Sequence, residues 1–254
     1  MVFETLLDPF LRPLLALSPF WAVFIIAFVL TLAITFVYKY TTNQKRMLEL
    51  RTKLKAMQKK MKAARDDPKK LMKIQQESMS LNMELMKHSF KPTLYTFIPI
   101  IIIFGWLNAH MAYYNLAPQQ DFTLTATFNQ GIKQAELTVI PPENISIAPN
   151  ATVAVVNDTA SWTLRGDPGL YKATVTVPNA GSQEKAFLIT DERRYEPPMR
   201  RYKDSAITSI ALSNEHVKPL NGISLLGWRP GWLGTYIILS LILSILLRKL
   251  LKVV

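Results

Sequence analysis

FWAVFIIAFVLTLAITFVY, residues 20 to 38, is a run of nineteen residues without a charge. As an α-helix it covers about 28 Å, close to the roughly 30 Å hydrocarbon core of a bilayer. It therefore reads as a first transmembrane helix. Residues 94 to 114 read as a second. Residues 225 to 247 read as a third, in which the apolar run from Trp232 to Leu247 is short but is extended outward by Leu225, Leu226 and Trp228. Ahead of the first span, Glu4 and Asp8 outnumber Arg12, the wrong sign for a secretory leader, and no small-residue cleavage site follows. The span is thus expected to be a permanent anchor. Residues 1 to 19 form an interfacial segment before it, amphipathic through Phe3, Leu6, Leu7, Phe10 and Leu14 and kept short by Pro9, Pro13 and Pro19.

Charge orients these spans. Residues 39 to 93 hold fifteen Lys or Arg against five Asp or Glu, and the tail at 248 to 254 adds Arg248, Lys249 and Lys252. Residues 117 to 223 carry ten basic and eleven acidic side chains. The positive-inside rule predicts a multi-pass protein of the cell membrane with residues 39 to 93 and the C-terminus in the cytosol. The N-terminus and the large domain, residues 115 to 224, then lie outside. The sequons at Asn144, Asn150 and Asn157 all fall in that outer domain and are candidate N-glycosylation sites.

The cytosolic segment has helical periodicity. Leu50, Leu54, Met57, Met61 and Ala64 alternate spacings of four and three, the seam of a coiled coil. Asp66-Asp67-Pro68 is a helix-start signal, and a second seam follows through Leu71, Ile74, Ser78, Leu81 and Leu85. An antiparallel coiled-coil hairpin is expected. Met72, Met79, Met83 and Met86 form a stripe one position away from the second seam. Seven of the ten methionines lie between Met47 and Met86. Flexible thioethers repack around apolar partners of many shapes, so Met57, Met61, Met72, Met79, Met83 and Met86 are candidates for capturing hydrophobic clients; the same residues also serve as filler in an ordinary coiled coil. Lys55, Lys59, Lys60, Lys62, Lys69 and Lys70 suit contact with the ribosome or with anionic lipid, and equally a solvated face that fixes topology. No aromatic residues interleave them, so base stacking is not indicated.

Hydroxyls recur at one depth in the spans. Thr31, Thr35 and Tyr38 share one face of the first, and Ser240, Ser244 and Arg248 share one face of the third. Thr93, Tyr95 and Thr96 open the second, ahead of a kink expected at Pro99. If the faces carrying Thr31, Thr35, Tyr38, Thr96, Ser240, Ser244 and Arg248 converge, they line a polar groove open to the cytosol. Packed helices also use such hydroxyls as interhelical hydrogen-bond partners.

Residues 117 to 223 read as seven short strands: 122–128, 135–140, 152–156, 161–164, 171–177, 186–190 and 207–212. The expected fold class is therefore an α-helical membrane protein of three transmembrane helices and a cytosolic coiled-coil hairpin, with an inserted extracytoplasmic all-β immunoglobulin-like sandwich. Gly169-Leu170-Tyr171 resembles a tyrosine corner. The segment from Glu192 to Pro198 reads as an exposed loop. Cysteine is absent and three histidines are scattered at positions 88, 110 and 216, so no disulfide, metal site, cofactor or catalytic centre is expected, and the protein reads as a non-enzyme.

The order of these parts resembles a known family. A first span, a basic methionine-rich hairpin, Phe90-Lys91-Pro92 entering a span with Pro99, and a last span running from Gly231-Trp232-Leu233-Gly234-Thr235-Tyr236 to Leu247-Arg248-Lys249-Leu250-Leu251 are similar to the archaeal YidC-like proteins of the Oxa superfamily of membrane insertases. The resemblance covers about 140 residues and skips the outer domain. It implies insertion of nascent membrane proteins from the ribosome into the lipid bilayer, without nucleotide or metal, alongside a small membrane partner subunit. Many bacterial relatives carry an arginine buried in the first span, whereas here the first basic residue is Lys39 at its end. A second reading makes the outer β-domain the working part of a cell-envelope adhesion or binding protein.

Overall fold

The computed structural model describes residues 2–64, 67–141, 143–220, 223–224 and 227–253. Asp66, Leu225 and Leu226, and the side chains of Phe3, Leu6 and Lys91, lie outside the described set. The chain divides into two compact units, residues 1–105 with 233–254, and residues 106–232.

The first unit is helical. Helix α1 (Val2–Leu11) passes through Pro9 into a 3-10 turn at Arg12–Ala16. Ser18 is extended and Pro19, whose fixed φ suits a first helical position, opens α2 (Pro19–Thr41). One face of α2 is buried, through Ala22, Val23, Ile26, Ala27, Leu30, Thr31 and Thr35. Trp21, Phe28, Val29 and Phe36 on its other side are exposed. Asn43 caps α3 (Gln44–Ala63) by accepting the Arg46 amide at 3.1 Å. The Asp67 carboxylate likewise accepts the Lys70 amide at 3.1 Å where α4 begins.

Helix α4 runs from Pro68 to Met111 without a break. Its 44 residues make the second leg of the expected hairpin and the second span one element, with the apolar part beginning at Pro92. At 1.5 Å per residue it is about 66 Å long. The last helix is α5 (Trp232–Leu250). Phe104 meets Tyr236 edge to face at 4.8 Å, which ties α4 to α5. Arg46 binds Glu84 at 2.6 and 2.8 Å, while Met57 and Ala64 share a cavity with Lys70 and Ile74. Those contacts at opposite ends lay α3 antiparallel to α4. The two seams face inward: Met47, Leu50, Ala64 and Ser78 are buried, and Leu54, Met57, Met61, Leu71, Ile74, Leu81 and Leu85 are half-buried.

The second unit is all antiparallel β. Its strands are β1 (Phe122–Phe128), β2 (Gln134–Ile140), β3 (Ile145–Ala148), β4 (Thr152–Ala154), β5 (Thr159–Gly166), β6 (Gly169–Val177), β7 (Gly181–Ile189), β8 (Met199–Arg201) and β9 (Ile207–Leu212). They form a five-stranded sheet, β3-β5-β1-β9-β8, and a four-stranded sheet, β4-β2-β6-β7, around one core in which Trp162 and Phe187 are fully buried. Each of the seven expected strands has a counterpart. The two extra strands are short: β3, between Pro141 and Pro149, alternates over only Ile145-Ser146-Ile147, and β8 is a charged edge strand. Asn157 and Asp158 both take positive φ to turn the chain tightly from Val156 to Thr159. Tyr171 donates its hydroxyl proton to the Asp167 carbonyl at 3.0 Å, four residues upstream, the contact that defines a tyrosine corner.

The segment containing Tyr195 is more than an exposed loop. The Tyr195 hydroxyl accepts the Ala112 amide at 3.1 Å and donates to the Asn108 carbonyl, so it clasps the C-terminal end of α4. Burial pushes its pKa up to about 12. Tyr114 and Val217 bond across the outgoing and returning chain at 2.8 and 3.0 Å, to Glu215 and Ala112 respectively.

Lys185 on β7 is only 3% exposed and donates to the Pro197 carbonyl at 2.6 Å and the Ala186 carbonyl at 3.1 Å. Desolvation lowers its pKa to about 8; Glu196 opposes the shift and Arg200 adds to it. In an unfolded chain it stays charged up to about 10.5. Between those values the unfolded state binds more protons, so stability rises with pH from about 8 to 10.5 and is lost as pH falls back through 8. The linkage amounts to on the order of 3 kcal/mol. Thermal unfolding of the detergent-solubilised full chain, followed by near-ultraviolet circular dichroism, should show that rise, and Lys185→Met should flatten it.

Candidate functional site

Four helices meet at one small cavity. Ile34 and Tyr38 from α2, Arg51 from α3, Ser89, Pro92, Thr93 and Thr96 from α4, and Arg248 from α5 line a half-open cavity of about 330 Å³. The Arg248 guanidinium lies over the Tyr38 ring, 5.1 Å from its centroid, a cation–π contact that fixes both side chains. Along α4 the hydroxyls bond their own helix: Ser89 to the Leu85 carbonyl at 3.1 Å, Thr93 to Ser89 at 2.8 Å, and Thr96 to Pro92 and Thr93 at 3.2 and 3.1 Å. Pro92 has no amide to offer the helix, and these hydroxyls add hydrogen bonds to carbonyls next to that gap.

The structure brings together three of the seven residues expected to line a groove: Tyr38, Thr96 and Arg248. Thr31 and Thr35 sit higher on α2 at 5% and 3% exposure, with the Thr35 hydroxyl given to the Thr31 carbonyl at 2.7 Å. Ser240 and Ser244 are half-buried on α5, and Ser240 bonds the Ile237 carbonyl at 3.0 Å. None of these four lines the cavity. Tyr95, noted beside Thr93 and Thr96, is exposed. Arg51 and Ser89 were not singled out from sequence. Arg51 is one of fifteen basic residues in its segment, and only the antiparallel return of α3 alongside α4 brings it to the ends of the spans.

The six methionines separate into two sets. Met57 and Met61 lie in the seam. Met72, Met79, Met83 and Met86 stand 51 to 68% exposed. They are the start of a longer feature, because Phe90, Leu94, Phe97 and Ile101 are also exposed. From Met79 to Ile101 these residues follow at intervals of three or four, which keeps them on one face of α4. An apolar stripe thus runs from the hairpin leg into the span, over about 44 Å from Met72. Lys55, Lys59, Lys60, Lys62, Lys69 and Lys70 are all exposed, and Lys60 and Lys70 line a cleft of about 530 Å³ between α3 and α4 with Met57, Lys73, Ile74 and Glu77. Asn144, Asn150 and Asn157 are exposed in the β unit. Among the described residues no cluster of His, Cys, Asp or Glu has the makings of a metal site.

Three helices, Pro19–Thr41, the part of α4 from Pro92 to Met111, and Trp232–Leu250, are long and apolar enough to cross a bilayer. Together with a folded β unit and a helical pair outside the apolar segments, they define a multi-pass membrane protein. The family model for integral membrane proteins described as EMC3/TMCO1-like matches residues 4–145, more than half of the chain. The chain belongs to this family, which is part of the Oxa1/YidC/Alb3/EMC3 insertase superfamily. The match takes in α1 to α4 and ends in β3, so α5 lies beyond it. No curated protein and no solved structure matches the chain.

Two measurements check this geometry. Limited peroxide treatment followed by peptide mass spectrometry should oxidise Met72, Met79, Met83 and Met86 well before Met47, which has no exposed surface. Since the chain has no native cysteine, single replacements can also be read cleanly. Thr93→Cys and Thr96→Cys should react with a water-soluble maleimide, while Thr31→Cys and Thr35→Cys should be protected.

Proposed function

We propose that the protein is a membrane insertase and chaperone of the archaeal YidC-like kind, receiving hydrophobic segments of nascent membrane proteins from the ribosome and passing them laterally into the bilayer. The observation that carries this reading is the exposed stripe from Met72 through Met79, Met83, Met86, Phe90, Leu94 and Phe97 to Ile101 on the single helix α4. An apolar segment released from a ribosome gains by covering such a surface, at about 25 cal/mol per Å² removed from water. Because the stripe continues into the span, a client can move toward lipid without giving up apolar contact. Membership of the insertase superfamily supports the same reading.

In this reading the hairpin of α3 and α4 and the C-terminus are cytosolic, and the N-terminus and the β unit, an immunoglobulin-like sandwich, are outside. The charge distribution supports that orientation. Met72, Met79, Met83 and Met86 capture the client, with Met57 and Met61 packing the seam beneath them. The exposed lysines dock near the ribosome exit or on anionic headgroups. The hydroxyls of the spans, with Tyr38 and Arg248, form a polar groove that eases passage of a short polar flank. No bond is made or broken, so the protein acts as a non-enzyme without cofactor, and a small membrane subunit completes the lipid-facing side. Outside the cell Asn144, Asn150 and Asn157 are accessible for glycosylation.

Photo-crosslinkers placed at Met83, Phe90 and Phe97 should give adducts with ribosome-bound nascent membrane proteins, at Met83 with shorter nascent chains than at Phe97. Replacing Met72, Met79, Met83 and Met86 by Leu should preserve the adducts. Replacement by Ser should abolish them while leaving the helix content intact, since these side chains are exposed. Normal crosslinking by a folded Ser variant would sink the reading.

A further inference from the structure

The cavity at the end of the bundle lies at one level of all three spans. Tyr38 is in the last turn of the span Pro19–Thr41, Thr93 and Thr96 are in the first turns of the span that begins at Pro92, and Arg248 is in the last turn of Trp232–Leu250. The ends of apolar spans mark where hydrocarbon gives way to lipid headgroups. Two arginines, Arg51 and Arg248, line the cavity, and no carboxylate does. Among the described residues, neither arginine forms an ion pair. Two like charges drawn to one small volume repel each other and favour an anion between them.

We propose that this cavity seats the phosphate of a membrane phospholipid. Stacking on Tyr38 orients the Arg248 guanidinium while leaving its N–H edge to grip phosphate oxygens in a fork. Arg51 supplies the second charge, and the Tyr38 hydroxyl a further donor. Three observations favour a lipid over a free anion. The first is the depth of the site. The second is its mixed lining, in which Ile34 and Pro92 form an apolar wall suited to the glycerol and upper acyl carbons. The third is the exposed apolar surface beside it, Leu94 and Phe97 on α4 and Leu241 and Ile245 on α5, along which acyl chains can lie. Basic pockets between transmembrane helices at a membrane face bind anionic headgroups by this logic. The site shares Tyr38, Thr96 and Arg248 with the groove assigned to a client's polar flank. Lipid binding is measured without a client, so its failure and the failure of the insertase reading are distinguishable.

Native mass spectrometry of the full chain in detergent, titrated with phosphatidylglycerol, tests it. One lipid should remain bound to the wild type, and the double variant Arg51→Gln/Arg248→Gln should bind at least about tenfold more weakly. Arg248→Lys, which keeps the charge but not the fork, should fall between them and keeps the test valid if the double variant loses helix content by circular dichroism. Lys133→Gln/Lys203→Gln, on the exposed surface of the β unit, should bind like the wild type. Soluble glycerol 3-phosphate at the same concentration should leave the lipid in place. Equal lipid binding by wild type and either arginine variant overturns the proposal. Displacement by glycerol 3-phosphate also overturns it, since the site would then recognise free phosphate.

Discussion

A helix that passes from water into hydrocarbon must satisfy its own backbone, because the bilayer core has no water to bond an exposed carbonyl or amide. Helix α4 meets that constraint over 44 residues and through two prolines. Ser89, Thr93 and Thr96 turn their hydroxyls onto helix carbonyls around Pro92, where a proline leaves one carbonyl without its usual amide. Because the helix continues, the hairpin leg and the span are one continuous element. The apolar stripe is therefore continuous. A break at Pro92 would have separated the methionines from the membrane.

Polar groups gather where the spans end. The Arg248–Tyr38 stack, the α4 hydroxyls and Arg51 occupy one small volume at the end of α2, the start of the apolar part of α4 and the end of α5. A charged side chain deeper in the bilayer would cost several kcal/mol, so arginines belong at this boundary. Thr31 and Thr35, further into the apolar run, instead close on their own helix and are buried. Thr31 and Thr35, unlike Tyr38 and Thr96, are thus sealed within the protein rather than lining the cavity.

The β unit rests on a different balance. Its two sheets share one core, and polar contacts hold residues 108 to 112 at its entry. Tyr195 clasps the last turn of α4, and Tyr113 packs edge to face on Tyr195 at 5.5 Å and against His216 at 4.3 Å. Lys185 remains buried because two carbonyls accept from its ammonium group. Removing one partner of such a contact leaves the other to bear its full desolvation cost, so these contacts define a geometry more sharply than packing does.

Periodicity by itself determined the three spans, the seams of α3 and α4 and the seven longer strands, because each pattern follows from one element and one solvent boundary. Composition added the absence of cysteine chemistry and the charge asymmetry. The inward face of Leu50 and Ser78 and the outward face of Met79 and Met83 were legible for the same reason, since residues one position apart on a helix point about 100° apart. Pairings between distant elements were not legible. Arg51 reaches the cavity only because α3 folds back along α4, and Tyr195 reaches Ala112 across 83 residues of chain. β3 alternates over only three residues and β8 not at all, and they are held by β5 and β9 through backbone hydrogen bonds, which any sequence can make. Local periodicity records which side of an element is apolar; which polar side chains meet is set by how the elements pack, and that information lives only in the tertiary structure.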